Sequence, residues 1–204
     1  MYRIRFHGRG GQGIITASRI LGSAFFLENY EVQDAPRYGA ERRGAPIFAY
    51  VRASKFPINE RGIIQHPDLV IVADDTLVPV PAAGVLGGIT ADTVLLINSH
   101  EQAETWQHRL HIENTILILP ASEETQDRAA LPFSGTSCAA AAALLVGVIP
   151  HDSMLQAVRQ ELDGLGKDIV NQNLEQADAA FRILHEHAGC VIEGKDVSAE
   201  TYKS

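Results

Sequence analysis

Tyr2-Arg3-Ile4-Arg5-Phe6-His7-Gly8-Arg9-Gly10-Gly11-Gln12-Gly13-Ile14 is the stretch on which the fold turns. An apolar strand, Tyr2 to Phe6, runs straight into a glycine-rich loop, and an amphipathic helix begins near Ile14. Glycines allow a sharp turn and expose backbone amides, because no Cβ blocks positive-φ conformations. The first turn of the following helix adds unpaired N–H groups and the positive end of the helix dipole. A phosphate, pyrophosphate or carboxylate can be held there without a charged side chain. Gly8, Gly10 and Gly13 satisfy G-x-G-x-x-G, the dinucleotide fingerprint. The same glycines also suit a tight strand-to-helix turn with no ligand, so the loop alone does not decide.

Downstream, the pattern repeats. Ile14, Ala17, Leu21, Ala24 and Phe25 give the first helix, about residues 13–27, one apolar face. A short strand is expected over 30–34, a charged loop over 35–45, and a strand over 46–52 rich in β-favouring residues. Asp68–Ala73 is an almost continuous apolar run, as in strands buried on both faces. Thr93–Asn98 and Thr115–Leu119 repeat it, with a helix over 101–110 between them. Small apolar residues from Ala139 to Leu145 predict a helix buried all round, followed by helices over 153–162 and 167–187. The expected fold is α/β: a Rossmann-like, doubly wound, mainly parallel sheet with flanking helices and an antiparallel strand after the second motif. One domain spans 1–187. A polar tail, 188–204, is expected to be loosely held or ordered by a partner.

Bulk properties narrow the function. The 204 residues are 46% hydrophobic and 21% charged, with a formal net charge of −8. Such a chain buries a full core unaided, and its acidity argues against a general nucleic-acid binder. No apolar run reaches the ~18 residues of a membrane helix, and a strand beginning at residue 2 leaves no room for a signal peptide. Cys138 and Cys190 match no C-x-x-C ligand pattern. A cytoplasmic protein is expected, with no membrane or nucleic-acid partner.

The second informative segment is Asp34-Ala35-Pro36-Arg37-Tyr38-Gly39-Ala40-Glu41-Arg42-Arg43-Gly44-Ala45. Asp34 stands near the place where a dinucleotide fold puts its ribose-binding acid. The charged turn after it, leading into an antiparallel strand, is unlike an ordinary second βα unit, so free NAD binding is disfavoured. Arg37, Arg42 and Arg43 bring three guanidiniums together, with Tyr38 and Glu41 beside them. Arginine forks bind carboxylate or phosphate bidentately. The alternative is an ion-pair network against another subunit. His108 and His111 sit three apart but lack a third ligand, and Gly135-Thr136-Ser137-Cys138-Ala139 is not a nucleophile elbow. Lys167, Asn171 and Asn173 are read as capping and solvated residues.

Together these segments resemble the gamma subunit of the 2-oxoacid:ferredoxin oxidoreductases over residues 2–185, with a lean towards the pyruvate branch. Gly8-Arg9-Gly10-Gly11-Gln12-Gly13 matches the family's G-x-G-G-Q-G. Tyr38 to Pro46 matches its second motif, with Val51-Arg52 in the following strand. Asp68 to Asp74 matches a strand ending in acids, and Lys167 and Asn173 match the last helix. Two departures are Ala45, where many relatives carry a second glycine, and Ser137-Cys138, where an asparagine is usual.

The resemblance implies an accessory subunit in the oxidative decarboxylation of a 2-oxoacid with coenzyme A to acyl-CoA and CO2, electrons passing to ferredoxin or another acceptor. It implies thiamine diphosphate, Mg and iron–sulfur clusters in partner chains: thiamine-binding, alpha-type and ferredoxin-like subunits. It assigns no catalytic or metal residue to this chain. Gly8, Arg9, Gly10, Gly11, Gln12 and Gly13 become candidates for contact with a phosphate-bearing group such as coenzyme A. Arg37, Tyr38, Glu41, Arg42 and Arg43 become interface or anion-binding candidates. A stand-alone NAD oxidoreductase and a purely structural assembly subunit are the competing readings. Calorimetry on the isolated chain discriminates the first: no micromolar NAD complex is expected, and finding one favours a dehydrogenase.

Overall fold

The computed structural model describes residues 1–37, 44–121 and 134–194. Its centre is a six-stranded mixed sheet, in spatial order β2-β3-β1-β4-β5-β6. The strands are β1 (Tyr2–Arg9), β2 (Glu31–Arg37), β3 (Pro46–Ser54), β4 (Leu69–Val72), β5 (Val94–Ser99) and β6 (Ile116–Pro120). Five α-helices flank it: α1 (Ile14–Leu27), α2 (Ala103–Leu110), α3 (Gly135–Val146), α4 (His151–Leu162) and α5 (Lys167–Ile183). The pairs β1–β4, β4–β5 and β5–β6 are parallel, while β3 pairs antiparallel with both β1 and β2.

Alternation along the strands builds two cores. Ile4 and Phe6, Leu69 and Ile71, and Val94 and Leu96 join α1, α3, α4 and α5 on one face. Val70, Val72, Leu95 and Ile97 join Trp106 of α2 and the turns around Leu77 and Val85 on the other. The apolar runs of β4 and β5 therefore reflect burial on both faces. Helix α3 is small and apolar on nearly every side because it is packed between α1 and α5.

Three segments differ from the sequence reading. Strand β2 runs on to Arg37 instead of ending at Asp34, because its pairing with β3 continues to Arg37↔Phe48. Helix α5 stops at Ile183, and a short 3-10 turn, His185–His187, follows. The stretch after Gly189, expected to be loose, packs on this chain as far as Gly194. Gly189 N and Val191 N donate to the Leu144 and Leu145 carbonyls at 3.0 and 2.9 Å, and Val191 is buried.

Strand β1 shows an unusual second face. Arg3, Arg5 and His7 alternate with the core residues, and all three are buried. Arg3 pairs with the Glu60 carboxylate at 2.6 Å. The segment after β4, with its short 3-10 turns Asp75–Leu77 and Pro81–Ala83, covers the other two with its carbonyls: Arg5 donates to Gly87 O (2.6 Å) and Val85 O (2.8 Å). The neutral His7 ring donates from Nδ1 to Ala83 O at 3.1 Å, edge-on to Phe48. Burial, with Arg5 adjacent, holds the His7 pKa at about 3.

That value links stability to pH. Below pH 6.5 the unfolded chain binds a proton at His7 that the folded chain refuses, so this contribution is present above pH 6.5 and is lost as pH falls towards 3. Asp68 acts in the opposite sense. Burial pushes it up to about 6, so its contribution declines as pH rises from 3.8 to 6. Comparing urea midpoints at about pH 7 and about pH 5, wild type should lose more stability on acidification than His7→Gln, which lacks the titrating ring. Equal losses would remove His7 from the account.

Candidate functional site

The glycine loop leaves β1 at the sheet edge where the parallel strands end. Gly8 pairs with Ile47 within the sheet. Gly10 is tied to the segment preceding β3: its N–H donates to Ala45 O (2.9 Å) and its carbonyl accepts from Gly44 N (3.1 Å). The two sequence motifs are thus joined by backbone pairing at Gly10. Gly13 caps α1 in the left-handed region, φ 75°, which a side chain would strain. Gly11 is the exposed member of the loop.

The motif's two polar side chains turn inward, onto the end of β4. Asp74 Oδ2 accepts from Arg9 Nε (2.9 Å) and from Gln12 Nε2 (3.1 Å). Gln12 Oε1 accepts from Arg9 N (2.7 Å), closing the loop on itself. Arg9 also reaches Gly44 O (3.0 Å) and Thr76 Oγ1 (2.7 Å), and Thr76 bonds Asp74 Oδ1 through both N–H and hydroxyl. Gln12 is 1% exposed, which explains why an amide carrying both donor and acceptor stands there. The sequence reading did not anticipate Asp74 and Thr76 as partners. The signal available was an apolar strand ending in Asp74-Asp75-Thr76.

Helix α3 begins directly against this loop. A Cβ at Gly135 would stand 2.6 Å from Gly13 O, so only glycine permits the approach. Thr136 donates to Asn173 Oδ1 (2.5 Å), and Asn173 donates to Ile169 O (2.8 Å). Asn173, read above as solvated, is buried at the joint between α3 and α5. Lys167 at the start of α5 is exposed, as are Leu165 and Ile169 beside it.

Asp34 lies elsewhere. It pairs with Val51, which pairs with Ile4, so it sits level with the lower part of β1. Five residues of strand rise put it about 16 Å below Arg9, and the inserted β3 holds it two strand spacings, about 9–10 Å, to the side. A ribose held at the glycine loop is out of its reach. Burial raises the Asp34 pKa, and Ser18 and Arg19 of α1 oppose that rise. Arg37 ends β2 on the same edge as the glycine loop. Tyr38, Glu41, Arg42 and Arg43 lie outside the described residues.

Other candidates resolve into packing. Cys138 is fully buried, its thiol pushed up to about 12, and burial raises Cys190 as well. Neither is in the electropositive, accessible setting that makes a ligand or nucleophile. His108 and His111 lie near one another at the end of α2, their rings tilted and their centroids 6.2 Å apart. Among the described residues no group of three His, Cys, Asp or Glu is placed to hold a metal. Likewise no helix there is long and apolar enough to cross a membrane.

Asp74→Ala strands the Arg9 guanidinium and the buried Gln12 amide at once. Charged hydrogen bonds of this kind carry ~1.5–3 kcal/mol each, and the bonds here share partners, so a loss of about 2–3 kcal/mol is expected. Urea denaturation measures it. An unchanged midpoint would show that the clip does not hold the loop.

Comparison with known proteins agrees with this architecture. The family described as pyruvate ferredoxin/flavodoxin oxidoreductase matches residues 3–183. The pyruvate/ketoisovalerate oxidoreductases common subunit gamma of Pyrococcus furiosus is 34% identical over 182 residues, 89% of this chain and 96% of that protein. Pyruvate synthase subunit PorC of Methanothermobacter marburgensis is 33% identical over 189 residues, 93% of this chain and all of that protein. Among solved structures, the pyruvate oxidoreductase subunit PORC of Thermotoga maritima superimposes with a TM-score of 0.72 at 24% identity, covering 89% of this chain and 95% of that one. A 2-oxoglutarate:ferredoxin oxidoreductase from Magnetococcus marinus shares the fold over 96% of this chain and 32% of its own, with a TM-score of 0.61 at 18% identity. The chain belongs to the pyruvate ferredoxin/flavodoxin oxidoreductase family, as a gamma-type accessory subunit.

Proposed function

We propose that this chain is the gamma subunit of a cytoplasmic complex that oxidises pyruvate, or a related 2-oxoacid such as 2-oxoisovalerate or phenylglyoxylate. The reaction consumes coenzyme A and yields acyl-CoA and CO2, and two electrons pass to ferredoxin or another acceptor. Thiamine diphosphate, Mg and the iron–sulfur clusters belong to thiamine-binding, alpha-type and ferredoxin-like partner chains. Two cysteines, both set by packing, do not fit a cluster, and the described carboxylates do not gather into a metal site.

The observation that carries this reading is the shared edge. The glycine loop, Gly44-Ala45 and the start of α3 meet where the parallel strands end. That edge is where open α/β sheets place their ligands. The Arg9 and Gln12 side chains are committed to Asp74, so the recognition left to the loop is its backbone: exposed Gly11 and the first-turn amides of α1. Such amides suit a phosphate of coenzyme A. Arg37, Tyr38, Glu41, Arg42 and Arg43 are proposed to border the same edge, as a cationic zone for those phosphates or for a partner's carboxylates. Leu165, 54% exposed, and Ile169, 44% exposed, add apolar surface beside the start of α5, as expected of a subunit interface.

One observation favours a second reading, in which the motif serves assembly alone. The clip faces inward, with both polar side chains of the motif turned onto Asp74. Kinetics of the reconstituted complex separate the readings. The isolated chain should show no coenzyme A-dependent turnover, and the complex should. Arg43→Ala should raise the KM for coenzyme A or weaken assembly, while leaving the subunit's own fold intact. Loss of one charged partner costs ~2–5 kcal/mol where the pair is buried at an interface. Turnover by the pure subunit would overturn the proposal. Weakened assembly with an unchanged KM would favour the structural role.

A further inference from the structure

Helix α5 begins near the upper edge of the sheet, where Asn173 meets Thr136 beside the glycine loop, and it carries two faces. One is the core face, with Asn173, Ala177 and Ala180 buried against α3 and α4. The other lies about a third of a turn round the helix. There Ile169, Gln172, Gln176, Ala179 and Ile183 follow one another at steps of three, four, three and four, the a/d spacing of a helix–helix seam. Leu165, four residues ahead of Ile169, extends it into the preceding turn. The apolar ends are open: Leu165 is 54% exposed, Ile169 44% and Ile183 50%. One apolar stripe is enough to hold a surface helix to its core, so the monomer leaves this second stripe without a use.

The seam reads alike in both directions. Turned end over end about Leu174, Leu165 falls opposite Ile183, Ile169 opposite Ala179 and Gln172 opposite Gln176. Two α5 helices laid antiparallel therefore stack apolar on apolar at both ends and amide on amide at the centre. Gln176 Oε1 finds no donor among the described residues. Rotated about the last side-chain bond, this amide can take one from Gln172 of the second copy. Charge follows the same symmetry. Asp168, Glu175 and Arg182 are exposed along the solvent side of the seam. In the antiparallel pair, Asp168 of each copy meets Arg182 of the other, twice over, and only Glu175 meets its own image. A parallel pair, with each residue beside its own image, offers neither the amide pairing nor the ion pairs.

We propose that the α5 seam is a two-fold, antiparallel contact between two copies of this chain, centred on Leu174. It rests on the reading of Leu165 and Ile169 as interface surface and names their partner. A two-fold contact uses the same patch on both copies, so it closes at two and builds no filament. The seam from Leu165 to Ile183 is about 27 Å long. At one helix wide, it falls at the low end of specific interfaces. The free subunit is accordingly a weak dimer, and in the assembled oxidoreductase the same contact joins two sets of subunits.

Sedimentation of the full-length chain, from micromolar to near-millimolar concentration, tests this. Wild type should pass from monomer to dimer. Ile183→Glu, at an exposed position, should stay monomeric throughout with an unchanged urea midpoint. Arg182→Glu should raise the dimer dissociation constant about tenfold, because two exposed ion pairs become two repulsions. Combining it with Asp168→Arg should restore the wild-type value. The two positions are about four turns apart in one helix, so a rescue reports contact between copies. A wild-type chain that stays monomeric would overturn the proposal. So would a dimer indifferent to Ile183→Glu, or a weakened dimer that the charge swap does not restore. A monomeric chain whose Ile183→Glu form no longer joins its partner subunits would overturn it in favour of a partner chain on the seam. Coenzyme A turnover of the reconstituted complex is read separately, so a failed dimer and a failed 2-oxoacid reading give different results.

Discussion

The Asp74 carboxylate holds together the edge of the sheet where the glycine loop leaves β1. One oxygen takes hydrogen bonds from Arg9 and Gln12, and the other is held by Thr76. Through those bonds the end of β1, the glycine loop and the end of β4 become one rigid piece. Gly10 then pins the segment before β3, and Gly13 fixes where α1 and α3 meet. A loop so rich in glycine has high conformational entropy in the unfolded chain, and the clip offsets that cost with charge-assisted bonds in a half-buried setting.

This arrangement separates two roles that the motif combines in its letters. The side chains of Arg9 and Gln12 define the loop's shape, the Arg9, Gly10 and Gln12 amides are bonded within it or to Ala45, and Gly11 is the member left exposed. A nucleotide-binding Rossmann loop couples its glycines to an acid at the end of the next strand. Here β3 is inserted between β1 and β2, and Asp34 is carried away from the loop. The inserted antiparallel strand is therefore the topological change that removes the ribose site. It also delivers residues 44–45 to the loop.

Much of the fold was legible in the sequence because the signals were local. The buried strands β4, β5 and β6, the apolar stripe of α1 and the all-apolar α3 follow from periodicity alone, and the antiparallel β3 was signalled by the charged turn ahead of it. The strap from Gly189 to Gly194 was not legible. Its backbone bonds to Leu144 and Leu145 depend on where α3 ends in space, and its polar composition suggested solvent. Similarly, Asn173 looked like a solvated helix residue, and only the parallel packing of α3 against α5 buries it against Thr136. At the site, the glycines and the arginine loop were visible as motifs. That Arg9 and Gln12 point inward depends on β4 lying next to β1, a long-range pairing that no local pattern encodes. The column Arg3, Arg5 and His7 was hidden in a stretch read as an apolar strand, and its partners, the Glu60 carboxylate and the carbonyls of Ala83, Val85 and Gly87, are more than fifty residues away.

The central claim is that the upper edge of the sheet, fixed by Asp74, is the face this subunit offers to its complex. Amide hydrogen exchange compares the isolated chain with the assembled oxidoreductase directly. The account predicts strong added protection at Gly10 to Ile15 and at Gly44 to Ile47 on assembly, with β5 and β6 unchanged. Protection elsewhere, with the glycine loop exchanging at the same rate in both states, would contradict it.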